Sequence, residues 1–97
     1  MKLVDKIVFE KPISEEDIKR VIESKNCTIV YWWYPAFSYT VVEALCKTKE
    51  GVKRKMFLVS VKPVKIIEEL KIYEITDKES KLIEEGKNVE ELIVEVS

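Results

Sequence analysis

Glu43 is the side chain that most invites a chemical reading, because it interrupts the apolar run Val41-Val42-Glu43-Ala44-Leu45. A charge turned toward a core must be paired or must shift its pKa, whereas the ordinary outcome is a carboxylate pointing to water from a strand edge. Acid–base work at Glu43 would need a lysine or tyrosine beside it, since the chain has no histidine. That absence removes the usual base near neutral pH and the commonest metal ligand, so neither a Ser-His-Asp nor a Cys-His arrangement can be assembled. Cys27 and Cys46 cannot complete a structural zinc site without histidine, and they are not spaced as a Cys-x-x-Cys redox pair. They read as small buried hydrophobes with reduced thiols. The two glycines, Gly51 and Gly86, belong to no phosphate-binding fingerprint. No catalytic residue, cofactor or metal site is expected.

Two surface features remain. The first is aromatic: Tyr31, Trp32, Trp33, Tyr34, Phe37 and Tyr39 fall within nine positions of one another. Adjacent residues of an extended strand point to opposite faces, so at most one of Trp32 and Trp33 enters a single-sided core and the other is left for a partner. An exposed tryptophan anchors a protein interface or stacks a base. The second feature is basic: Lys47, Lys49, Lys53, Arg54 and Lys55 stand against Glu50 alone, where a hairpin tip would display them to nucleic-acid phosphates. The last quarter of the chain is acidic in return, and this polarity can orient a partner or a second copy. The net charge of −1 does not suit a dedicated nucleic-acid binder, whose domains are usually basic.

The leading expectation is therefore a non-enzymatic module that associates, with itself or with another protein, through the aromatic strand. Nucleic-acid contact by the basic hairpin, with aromatic stacking, is the alternative.

The elements that must position these residues begin with a strand over 2–9, ended by Lys11-Pro12. Ser14 with Asp17 three residues on forms a capping-box signature, Ile13 and Ile18 have the spacing of a hydrophobic staple, and a helix follows to about residue 25. Residues 27–34 are almost continuously apolar, which suits a central strand covered on both faces, or one face on the core and the other on a partner; Pro35 ends it. Residues 37–47 read as a strand, with a helix capped by Thr40 and Glu43 as the competitor. The Lys49-Glu50-Gly51 link then turns the chain into a strand over 52–61. After Pro63 a short helix to about residue 70 and a strand over 71–75 are expected, one bent strand being the alternative. Thr76 with Glu79 caps a helix over 77–85 that Gly86 stops. Val89, Leu92, Ile93, Val94 and Val96 supply a closing strand.

Together these make one domain over residues 1–97, of the α+β class, with a mainly antiparallel sheet and two or three helices in the order β-α-β-β-β and then mixed elements; a ferredoxin-like arrangement is one candidate. A hydrophobic fraction of 46% excludes intrinsic disorder. The charged fraction of 36%, dominated by Lys and Glu, exceeds the usual quarter and resembles proteins of heat-adapted organisms. No run approaches the roughly 20 apolar residues of a membrane span, and residues 1–20 lack the pattern of a secretory signal, so a cytoplasmic setting is expected.

Overall fold

The computed structural model describes the backbone of residues 1–96 and the side chains of residues 1–93. Its elements in chain order are β1 (Lys2–Phe9), α1 (Glu15–Glu23), β2 (Cys27–Ala36), β3 (Tyr39–Thr48), β4 (Gly51–Val64), β5 (Ile67–Ile75), α2 (Asp77–Glu84) and α3 (Val89–Val96). All five strands join one antiparallel sheet in the order β1-β5-β4-β3-β2. Strands β2 to β5 form a meander, and β1 docks beside β5. α1 thus carries the chain from one edge of the sheet to the other. The α+β class holds, but the arrangement is not ferredoxin-like: four consecutive strands follow α1, where that motif would place a second helix between its last two.

Helices cover both faces. Ile18 and Ile22 of α1 pack with Val42, Ala44, Phe57, Val59, Leu70 and Ile72 on one side. Ile83 of α2, with Val89 and Leu92 of α3, packs with Val41, Met56, Leu58, Tyr73 and Ile75 on the other. Residues 56–60 of β4 are buried without interruption, as a strand covered on both faces must be. The centre of the sheet is therefore β4, whereas β2, whose apolar run suggested that place, lies at an edge.

Three further expectations are corrected. Pro35 does not end β2 but lies within it, tolerated because an edge strand leaves one row of N–H groups without a ladder partner. No helix follows Pro63, which instead sits in β4 opposite Glu68. β3 starts at Tyr39, opposite Ser60, and the Val61 N–H still donates to the Ser38 carbonyl at 3.0 Å; beyond Val61 β4 is flanked by β5 alone, so the missing N–H of Pro63 costs no bond on the open side. The chain reverses at Lys65-Ile66, with Lys65 at φ 59°. Finally, residues 89–96 form a helix and not a closing strand. Val89, Leu92 and Ile93 recur at helical spacing, and the Asn88 side chain accepts from the Glu90 N–H at 2.9 Å to cap the first turn. The side chains of Val94 and Val96 lie outside the described residues.

The helix starts follow the sequence closely. The Ser14 N–H donates to Asp17 Oδ2 at 2.9 Å and the Asp17 N–H returns to Ser14 Oγ at 3.2 Å. Thr76 and Glu79 make the same reciprocal pair at α2. Asp17 is buried, and its carboxyl is held below the ordinary carboxylate value, above all by the Ser14 N–H; the Ser14 hydroxyl and the Lys11 ammonium assist against the opposing effect of burial. A folded-state pKa below the unfolded one stabilises above about pH 4, and that contribution disappears as pH falls through the folded value. Asp17→Asn is therefore expected to flatten the loss of stability below about pH 4, read as urea midpoints across the acid range. An unchanged acid slope would show that Asp17 does not carry it.

Candidate functional site: the β2 edge and its cleft

β2 is bordered by β3 on one side and, among the described residues, by no strand on the other. Its side chains divide between the two faces, as adjacent extended residues must. Trp32 packs with the α1 cluster and Trp33 with the cluster under α2 and α3, each partly buried. Because both faces are covered, both indoles find a core; because the strand is at an edge, neither is wholly enclosed. Tyr31, 60% exposed, and Val30 and Tyr34 stand largely in solvent, and Phe37 at the β2–β3 turn is 96% exposed. Ser38 completes that turn at φ 69°, a left-handed conformation in a residue other than glycine. The Tyr34 hydroxyl donates to Glu15 Oε1 at 2.6 Å, an acceptor that raises its pKa. Tyr39 leaves the group of interface candidates: it is buried, its pKa is raised chiefly by that burial, and its hydroxyl donates to Glu90 Oε1 at 3.3 Å.

On the α2 side the sheet ends in an open cleft of about 660 Å³ between β2 and α2. Tyr31 and Trp33 form its β2 wall, Met56 lies at its base, and Lys81 and Glu84 of α2 stand opposite. Glu43 faces this cleft and not bulk water. The Arg54 guanidinium donates through Nε to Glu43 Oε1, and through Nη1 to Asp77 Oδ1 at 2.9 Å. Glu43, and after it Asp77, raises the Arg54 pKa further. A carboxylate locked on a guanidinium is a structural anchor between β3, β4 and α2, and its engaged oxygen is not offered to a substrate proton.

The basic hairpin forms as expected, turning at Lys49-Glu50 with Gly51 at φ 109°. Its charges are largely answered from within. Lys53 pairs with Glu50 at 3.1 Å and Lys55 with Glu74 at 3.6 Å, while Arg54 holds the two acids of the cleft. Lys47 and Lys49 are exposed and make no ion pair among the described residues.

Cys27 and Cys46 are directly opposed and joined in a disulfide, which corrects the expectation of reduced thiols. Two irregularities in β2 bring them together. From the pair Ala36↔Tyr39 an even ladder would set Cys27 opposite Thr48, but one extra β2 residue between Trp33 and Ala36, and another between Ile29 and Tyr31, slide the register to Cys46. Pro35 lies in the first irregularity and is a local sign of it, but nothing in the sequence marks the one between Ile29 and Tyr31, so the register that opposes the two cysteines is not legible locally.

Among the described residues no group of three or more His, Cys, Asp or Glu side chains is arranged to hold a metal ion, and no helix is long and apolar enough to cross a membrane. The class these features define is an α+β domain with a double-covered, five-stranded antiparallel sheet and one bare aromatic edge. Comparison with protein-family models, with curated proteins and with solved structures finds no match for the chain.

Proposed function

We propose that this protein is a non-enzymatic association module whose β2 edge accepts an extended polypeptide strand. The observation that carries this reading is the bare edge itself: ten residues, Cys27–Ala36, with an unpaired outer row of N–H and C=O groups and flanking aromatic side chains half out of water. An exposed edge of this kind is a template for strand addition, in which main-chain hydrogen bonds give affinity and alternate side chains give selectivity. β1, the other edge, carries Lys2, Asp5 and Lys6, charges with which natural proteins blunt an edge, whereas β2 carries no charge and, between its two bulges and Pro35, keeps residues 31–33 as a regular stretch open to pairing. Nucleic-acid contact at the 47–55 hairpin is the weaker reading, because Lys53, Arg54 and Lys55 are already paired and release few counterions. The Lys/Glu-rich composition together with a buried disulfide favours a heat-adapted intracellular setting, where disulfides do occur.

Amide hydrogen exchange tests the reading. Raising the protein concentration, or adding a short alternating Thr/Val peptide, is expected to slow exchange along β2 and to leave β1 unchanged. Exchange at β2 that stays constant under both conditions would end it.

A further inference from the structure

We infer that the strand received by β2 is the β2 of a second copy of this chain, the two running antiparallel across a two-fold axis beside Trp32. This rests on the strand-acceptor reading above and names its partner.

The charge pattern selects the occupant. No residue of Cys27–Ala36 is charged, so the strand meets no like charge when laid against itself. Pairing β2 with the β1 edge of another copy would set an aromatic row against Lys2, Asp5 and Lys6, and it would add copies without closure. Self-pairing about a two-fold axis closes at two copies and leaves the charged β1 edges outermost.

The geometry then accounts for the half-covered rings. A two-fold axis perpendicular to the sheet keeps the faces in register, so each side chain of β2 meets one from the same face. On the α2 side Tyr31 lies opposite the partner's Trp33, and on the α1 side Trp32 meets the partner's Trp32. Aromatic rings placed this way across an antiparallel pair are favourable neighbours. The cleft is walled along β2 only by Tyr31 and Trp33, beyond which it opens past the sheet edge. In the paired form the partner's Tyr31 and the partner's Trp33 stand beyond that wall, and the clefts of the two copies flank a shared ridge of four rings.

Light scattering over a concentration series, with Tyr31→Lys and Tyr31→Glu variants, tests the inference. Tyr31 is largely exposed, so both variants are expected to fold, which a circular dichroism spectrum like that of the wild type and a cooperative thermal transition check. The two Tyr31 positions are diagonal neighbours across the axis, close enough for like charges to repel. Wild type is expected at twice the mass of one chain and no higher. Each variant alone is expected to dissociate with a Kd raised about 100-fold, and an equimolar mixture of the two to recover the doubled mass. A wild type that stays a single chain at every concentration, grows beyond two copies, or keeps its doubled mass in both variants overturns the inference. A single-chain wild type whose β2 amides are still protected by the Thr/Val peptide overturns it alone and leaves the strand-acceptor reading intact; loss of both results ends both.

Discussion

Ile22→Ala is expected to destabilise the domain by about 4 kcal/mol, the upper part of the range for truncating a fully buried isoleucine. Ile22 is 0% exposed and sits in the cluster formed with Val42, Ala44, Phe57 and Ile72. α1 has nine residues, shorter than the roughly 12–15 at which an isolated helix becomes marginal in water, so its helicity depends on this apolar seat and on the Ser14–Asp17 cap. α1 also carries the chain from the β1 edge of the sheet to the β2 edge, and a cavity beneath it is not easily filled by neighbours already locked in strands. A fall in thermal midpoint of about 15–25 °C should accompany the change, with Ile22→Val losing only about 1 kcal/mol as a control. A loss below about 1 kcal/mol for the alanine variant would mean that α1 is not held on this face.

The disulfide carries the second large effect. Replacing Cys27 and Cys46 together with alanine is expected to lower stability by about 3 kcal/mol, the scale for closing a loop of this length. The bond spans a sequence separation of 19 and ties the start of the edge strand to the end of β3. Most of the loss comes from an unfolded chain free to expand, so the denaturant dependence should steepen in the double variant as well as the midpoint fall. Adding a thiol reductant to the unfolded protein before refolding should reproduce the change. Thiol titration in denaturant gives the direct check: no free thiol is expected, and two would show that the bond is absent. The same bond anchors one end of the strand on which association is proposed, so loosening it should also weaken pairing through β2.

Strand β1 and the helix starts were legible because they are local. The capping boxes at Ser14 and Thr76, the staple of Ile13 and Ile18, and the turns that Gly51 and Gly86 permit all depend on residues within five positions of each other. The segment 89–96 carries two opposed local signals, the helical spacing of Val89, Leu92 and Ile93 and the β preference of its residue types; the expected strand followed the second, and the chain follows the first. Residues 63–70 were not legible. Pro63 is acceptable in a strand only where the neighbour on its side is missing, and that follows from where β3 begins.

The divergence of Trp32 and Trp33 needed only the geometry of an extended chain, and the placement of one indole on each side of the sheet follows it. What each ring met was a different matter. Sequence by itself determined the element types with strong local signals, the absence of histidine chemistry, and the presence of a strand that is apolar on both faces. Tertiary structure alone decided that this strand lies at an edge and not in the centre, that Glu43 is spent on Arg54, and that two bulges bring Cys27 opposite Cys46. The physical reason is that strand order, register and ion pairing are contacts between residues far apart in the chain. Their free energy depends on which other surfaces are already covered, and no window of neighbouring residues carries that information.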